Sequence, residues 1–118
     1  MAEEKKKVKS TVSVNPDVVK QYAAAEAMEC FGIVGLGAVS PKDGIAKVLK
    51  SEKVARGVDV SLHDGEATID FHIIVAYGVN IKTVADNLME NVIYRVEQFI
   101  GLKVKRVNVF IEGVRVID

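Results

Sequence analysis

Cysteine, net charge and long hydrophobic runs are scarce or absent in this chain of 118 residues. The single cysteine, Cys30, has no partner for an internal disulfide, which is typical of a reducing compartment. Lys plus Arg and Asp plus Glu both number 16, so the formal net charge is zero. That balance argues against tight nucleic-acid binding, because duplex affinity depends on many phosphate-neutralising cations. It also favours self-association, since colloidal repulsion is weak.

No apolar stretch reaches the roughly 18 residues of a transmembrane helix, so none is predicted. The charged segment from Met1 to Lys7 leads into no apolar run and is not typical of a signal peptide. We expect residues 1–7 to form a disordered charged tail and residues 8–118 to form a single cytoplasmic domain. Hydrophobic residues make up 49% of the chain, enough to form a core without disulfides or metal.

Two helices are predicted from their capping residues and hydrophobic spacing. Asn15 is a good N-cap and Pro16 suits the first helical position, so a helix should begin there and continue to about Cys30. A longer helix, over about residues 80–100, keeps apolar side chains at helical spacing and should end at Gly101.

A short third helix is predicted near residues 41–55. Ser40 is a suitable cap, and Pro41 would lie in the first turn. Ile45, Val48 and Leu49 then follow at i, i+3 and i+4, the spacing of an apolar helix face.

Alternation of apolar and polar residues predicts the strands. Residues 58–63 and 66–75 flank Asp64-Gly65, a strong two-residue turn signal, and the implied hairpin pairs His63 with Glu66 and Val58 with Phe71. A last strand spans about residues 103–116, with a bulge predicted at Gly113. Residues 8–14 form a plausible edge strand. Residues 31–39 are predicted to be an apolar packed connector rather than a regular element.

These elements predict an α+β fold: a two-layer sandwich with a mixed sheet of three to four strands and the helices on one face. The order is βαββαβ if residues 8–14 pair into the sheet and αββαβ if they do not, with the short helix near residues 41–55 in addition. The last strand should run parallel to the second hairpin strand, because the long helix forms a crossover between them.

Two carboxylates, Asp59 and Asp70, lie opposite each other in the predicted hairpin. Because like charges repel, we expect a cation nearby, either Arg106 or a lysine of a partner. Paired carboxylates can also perform acid–base chemistry, but an open sheet face predicts no pocket. His63 and His72 share this face, yet the register separates them too far for one metal ion to bridge both. We assign no catalytic, cofactor-binding or metal-binding residue.

Three glycines, Gly32, Gly35 and Gly37, contain the G-x-x-G spacing that clamps RNA in KH domains. That loop is usually polar or basic, whereas Ile33-Val34 lies inside this one. Close backbone packing is the preferred interpretation of the glycines, and a KH-like RNA-binding module is an alternative. Cys30, at a helix C-terminus where the dipole disfavours a thiolate, is interpreted as a buried structural thiol.

A candidate interaction surface comprises Lys47, Lys50 and Lys53, which belong to a basic segment, together with Arg106 and Phe110. The basic segment could meet anionic lipid headgroups or an acidic partner, or could be a solvated face. Phe110 is predicted on the strand face away from the helices, where it needs cover. A second copy of the chain is the simplest cover.

Several motifs together resemble the alkaline shock protein family of bacterial envelope stress response proteins, over about residues 8–116. They are Cys30-Phe31-Gly32-Ile33-Val34-Gly35-Leu36, Asp43-Gly44-Ile45-Ala46, Tyr77-Gly78-Val79 followed by Asn87 and Asn91-Val92, and Val107-Asn108-Val109 with Glu112-Gly113-Val114-Arg115. The ending is the most specific part, although the family often has Gln where this chain has Glu112. The segment over residues 42–57 is most similar to the small single-domain branch.

The resemblance implies a non-catalytic cytoplasmic adaptor or scaffold in cell-envelope homeostasis or in fatty-acid and lipid homeostasis. Such a protein would self-associate as a homo-oligomer. It would bind a protein partner at the membrane or in fatty-acid metabolism, and reach the inner face of the membrane only through that partner. The resemblance supplies no cofactor and no catalytic residues. The alternatives are the RNA-binding module and a small enzyme that uses Asp59, Asp70 and the histidines.

Overall fold

The computed structural model describes residues 14–39, 46–48 and 56–117 of the chain. These residues form two α-helices, a π-helical turn and five strands of one mixed sheet. In chain order the elements are α1 (Pro16–Met28), β1 (Ile33–Val39), β2 (Ala46–Val48), β3 (Val58–His63), β4 (Glu66–Ala76), α2 (Ile81–Arg95), the π-helical turn (Val96–Ile100) and β5 (Lys103–Arg115). The predicted α+β class is confirmed.

The long strand β4 is the centre of the sheet. β5 runs parallel to it along its whole length. β3 and β1 therefore share the other edge of β4, with β3 antiparallel to its first part and β1 antiparallel to its last part. β2 extends the sheet by pairing with the end of β1. The predicted parallel pairing of the last strand with the second hairpin strand is confirmed.

Helix α1 begins where its capping residues predict. The Asn15 side chain accepts a hydrogen bond from the backbone N–H of Asp17 at 2.8 Å, and Pro16 occupies the first turn. The buried residues Val19, Ala23 and Ala27 recur at helical spacing and face the sheet. After the helix, Gly32 adopts a positive φ of 86°, which turns the chain into β1.

The β3–β4 hairpin has the register that its turn sequence predicts. Asp64 and Gly65 both have positive φ values, 53° and 78°, as a type I′ turn requires. His63 lies opposite Glu66 and Val58 opposite Phe71, so the predicted pairing is confirmed.

Helix α2 covers the β5 side of the same sheet face. Asn80 caps it by accepting a hydrogen bond from the backbone N–H of Thr83 at 3.0 Å. The buried α2 residues Val84, Leu88 and Val92 join those of α1 and the sheet in one hydrophobic cluster. Gly101 ends the π-helical turn in the left-handed conformation, with φ of 85°. The placement of both helices on one face is confirmed.

The segment between α1 and β3 differs from its prediction. Residues 33–39 form strand β1 rather than a packed connector, because Ile33 and Leu36 point to the core on either side of a bulge. Residues 46–48 are strand β2, so the helix predicted near residues 41–55 is wrong at these positions. One edge of β4 is shared, since its residues 66–71 pair with β3 and its residues 73–75 pair with β1. The end of β1, residues 37–39, therefore has no partner on β4 and pairs with β2.

These two strands raise the sheet from the predicted three or four strands to five in the described part of the chain. The remaining residues of the predicted third helix, the charged tail and the candidate strand over residues 8–13 lie outside the described residues. The described elements follow the order αββββαβ, so neither the βαββαβ nor the αββαβ order includes β1 and β2. Whether residues 8–13 add a strand stays a prediction.

The sheet curls at the end where β4 finishes. β1 and β2 both approach β5, although β4 lies between β1 and β5. Ile74 points away from the helices, since its neighbours Ile73 and Val75 belong to the core. It is nevertheless fully buried, between Gly35 and Gly113 on the two flanking strands. The face that points away from the helices is therefore open only away from the end of β4, over β3, β4 and β5.

Candidate functional site: the outer face of the sheet

The candidate site is the face of β3, β4 and β5 that points away from the helices, here called the outer face. Strand alternation places it: Phe71 and Ile73 point to the core, so His72 between them points outward. The outer-face cluster consists of six side chains from three strands: Asp59, Asp70, His72, Asn108, Phe110 and Glu112.

His72 lies between two carboxylates. Its Nδ1 is 2.6 Å from Glu112 Oε2, and its Nε2 is 3.3 Å from Asp59 Oδ2. An imidazolium donates to both carboxylates, whereas a neutral ring has one N–H and donates to only one. Glu112 is well buried, with 19% of its side chain exposed, so this contact holds the ring in a fixed orientation.

Phe110 stacks on the His72 ring. Their centroids are 5.0 Å apart and the ring planes differ by 14°, an arrangement that covers one face of the phenyl ring. Phe110 is still 46% exposed. The outer face therefore presents a fixed aromatic ring beside a carboxylate–imidazole–carboxylate row.

The predicted carboxylate pair is present, and the side chains that contact it are His72 and Asn108. Asp59 lies opposite Asp70, and Asp70 accepts a hydrogen bond from Asn108 Nδ2 at 2.8 Å. His72 contacts Asp59 diagonally across the strands, and diagonal neighbours are within reach of long or aromatic side chains. Arg106 makes no ion pair within the part of the chain that the structure describes, so the prediction that it neutralises this pair is wrong there. The other predicted cation, a lysine of a partner, stays a prediction.

The two histidines do not come together. His63 lies beside the hairpin turn, 3.3 Å from Asp64 and 90% exposed, whereas His72 lies in the second half of β4. No group of three potential metal ligands occurs among residues 14–39, 46–48 and 56–117.

The three glycines lie in and before a strand rather than in a free loop. A Cβ on Gly32 would lie 2.7 Å from Val84 Cγ2, so this glycine allows the chain to pass close to α2. Gly35 and Gly37 are buried within β1. A loop that clamps RNA needs an accessible backbone, so this placement does not favour the KH-like alternative.

The lysines of the candidate interaction surface lie largely outside the described residues. Lys47 belongs to β2 and pairs with Ala38 through the backbone. Its side chain, and the whole of Lys50 and Lys53, lie outside the described residues. Their role stays a prediction.

Cys30 is half-buried between the two helices. Its Sγ donates to the Glu26 carbonyl at 3.5 Å and accepts from Asn91 Nδ2 at 3.8 Å. Burial raises the pKa of the thiol, Glu26 and Glu29 add to that rise, and the Asn91 hydrogen bond partly offsets it. These surroundings disfavour a reactive thiolate.

A second exposed surface, at the end of β4, was largely missed from the sequence. Phe31, Tyr77 and Val116 are 80%, 74% and 75% exposed. Backbone hydrogen bonds hold their segments together, from Ala76 to Gly32 and from Tyr77 to Arg115. The alternation of apolar and polar residues ends at the strand termini, so it does not predict the positions of these three side chains. They come together only because three separate segments meet in the fold.

Sequence comparisons place the chain in a family. Residues 4–116 match the model of the alkaline shock protein (Asp) 23 family, which is described by a cell envelope-related function. The chain belongs to this family, so the predicted resemblance is confirmed.

Relatives in two bacterial species cover nearly the whole chain. The uncharacterized protein YloU of Bacillus subtilis is 40% identical over 106 residues, covering 89% of this chain and 88% of the relative. The uncharacterized protein Spy1614 of Streptococcus pyogenes serotype M6 is 32% identical over 107 residues, covering 90% and 88%. The uncharacterized protein YqhY of Bacillus subtilis is 27% identical over 104 residues, covering 88% and 76%. No solved structure matches the chain significantly.

Among the described residues, no helix combines the length and apolar character needed to cross a bilayer.

Proposed function

We propose that this chain is a non-catalytic adaptor or scaffold in a cell envelope-related process, and that it acts through self-association and protein partners bound on the outer face. It would work in the cytoplasm and reach the inner face of the membrane through such a partner. The observation that carries the proposal is the half-exposed Phe110 ring, fixed by His72 on an otherwise polar open sheet.

Contact rather than chemistry is supported by how the polar groups are used. Both ring nitrogens of His72 face carboxylates, and Asp70 is engaged by Asn108. These groups therefore stiffen one another and orient Phe110. A rigid aromatic side chain with a polar surround is typical of the central contact of a protein interface.

The family description supports the cellular setting, since it assigns a cell envelope-related function to chains that match as this one does. The relatives' names give no activity or partner. We propose that the protein partners act in fatty-acid or lipid homeostasis.

The test is affinity capture of tagged full-length chain from its own cells, comparing Phe110→Ala with Phe99→Ala. Phe99 is a matched control, because it is 66% exposed but lies in the π-helical turn beside Arg95. We expect the wild type and Phe99→Ala to recover the same envelope or lipid-metabolism proteins, and Phe110→Ala to lose them. Identical recovery by all three chains would contradict the use of this face, and recovery of RNA and ribosomal proteins would favour the KH-like alternative.

A further inference from the structure

The free edge of β5 lies next to the outer-face cluster. Within the described part of the chain, β5 pairs with β4 on one edge and with no strand on the other. Alternate residues of such a strand direct their backbone N–H and C=O groups to the open edge, where another strand can bind them.

We propose that this edge binds the same edge of a second copy, antiparallel and with a two-fold axis at Val109. The inference rests on the self-association part of the proposed function and names its interface. In this register Asn108 lies opposite Phe110 of the partner subunit, Val107 opposite its Ile111, and Arg106 opposite its Glu112.

The register follows from the two faces of β5. Val107, Val109 and Ile111 pack toward the core, whereas Asn108 and Phe110 lie on the outer face with Asp70 and His72. A shift of one β5 strand by one residue relative to the other would place core-facing apolar side chains opposite outward-facing polar ones. Only shifts by an even number of residues keep the core face and the outer face continuous across the two copies.

Charge selects among the even registers. Arg106 is exposed and makes no ion pair in the described residues, and Glu112 contacts His72 through one of its two carboxylate oxygens. The proposed register brings these opposite charges together twice. A shift by two residues in either direction would place Arg106 opposite Phe110 or Val114 instead, and the complementarity would be lost.

The pairing also covers Phe110. In the proposed register the two Phe110 rings are diagonal neighbours across the two-fold axis, a separation that aromatic side chains can bridge. Bulges on β5 at Lys105 and at Glu112 interrupt the regular strand, so the backbone ladder is confined to residues 106–111 and the Arg106–Glu112 contacts are side-chain contacts at its two ends. This limit keeps the like-charged ends, Lys103 and Arg115, out of the ladder.

Two charge reversals test the register. Arg106→Glu and Glu112→Arg each place two like-charge pairs in the symmetric dimer, so each variant alone should dimerise about a hundredfold more weakly, at about tenfold per pair. Mixed in equal amounts, the two variants restore both pairs and should form a heterodimer with near wild-type affinity. Analytical ultracentrifugation of the full-length chains, alone and mixed, measures this.

A crosslink provides a second readout that does not depend on Glu112, whose removal leaves His72 with one carboxylate fewer. In a Cys30→Ser background, Val109→Cys places two thiols opposite each other at the axis, within the Cα separation that a disulfide accepts. Val60→Cys, a half-buried valine on β3 at another edge, is the matched control. We expect an oxidised dimer from Val109→Cys and none from Val60→Cys.

The outcomes separate the interface from the proposed function. A wild-type dimer that ignores both charge reversals and gives no crosslink at position 109 overturns this interface but leaves self-association standing. A wild-type chain that stays monomeric at millimolar concentration overturns both this interface and the self-association part of the proposed function. A mixture that dimerises, together with a specific crosslink at position 109, supports the inference.

Discussion

Replacing Gly32 with alanine should destabilise the fold through packing, beyond the cost of its backbone conformation. Gly32 has φ of 86°, and a Cβ there would lie 2.7 Å from Val84 Cγ2 on α2. A left-handed conformation costs a non-glycine residue about 1–2 kcal/mol. Forcing an extra methyl group into a packed site adds about 1–3 kcal/mol. The free energy of unfolding should therefore fall by about 2–5 kcal/mol.

Gly78→Ala is the matched control, because Gly78 has a similar φ of 91° and nothing within 4 Å of the added Cβ. It should lose only the conformational part, about 1–2 kcal/mol. A difference of about 2 kcal/mol between the variants corresponds to about 1 M in the urea midpoint at an m value of about 2 kcal/mol/M. Equal midpoints would refute the inferred contact between the start of β1 and helix α2.

Three further predictions test the site and its supports. Phe110→Ala and His72→Ala, combined in a double-mutant cycle, should show a favourable coupling of about 0.5–1.5 kcal/mol in urea unfolding from their ring stacking; additive effects would deny it. Asn80→Ala should cost about 0.5–2 kcal/mol by removing the α2 cap, while Asn87→Ala, exposed within the same helix, should not destabilise; equal losses would contradict the capping role. Because burial raises the pKa of Cys30, its thiolate forms at higher pH in the folded chain than in urea, so the pH profile of its alkylation should shift upward on folding; superimposed profiles would argue against this burial.

Local signals were sufficient for much of the fold. The Asp64-Gly65 turn determines the β3–β4 register, and Asn15 marks the start of α1 within a residue. The bulge predicted at Gly113 is confirmed in the pairing of β4 with β5. Each of these features is decided by residues that are neighbours in the chain.

The missed elements depend on distant pairing. Residues 33–39 are apolar and rich in glycine, and they become a strand because the last part of β4 offers an open edge. Residues 46–48 have a spacing that suits a helix, yet they pair with the end of β1. No local pattern distinguishes these outcomes, since the decisive partners are far away in sequence.

The outer-face cluster was predicted only in part. The Asp59–Asp70 pair follows from the hairpin register, and the outward position of Phe110 follows from alternation. The contact between His72 and Glu112 requires the β4–β5 register and its bulge, which displaces Glu112 relative to a regular strand. The sequence signal for this contact is the bulge predicted at Gly113. Applied to the parallel pairing of β4 with β5, it would have placed Glu112 beside His72.

In the proposed dimer, the outer face and the β5 edge form one continuous surface. Asn108, Phe110 and Glu112 belong both to the cluster and to the proposed two-fold contact. A dimer formed at this edge would extend the sheet across two copies and present two outer faces side by side. Partner proteins would then meet a surface twice as wide as that of one chain.

Photo-crosslinking in the native cells tests whether the outer face is the contact surface. A benzoyl-phenylalanine side chain at position 110 is compared with the same side chain at position 99, since both replace an exposed phenylalanine. We predict adducts at position 110, to a second copy or to an envelope or lipid-metabolism protein, and none at position 99. Adducts at position 99 with none at position 110 would contradict it.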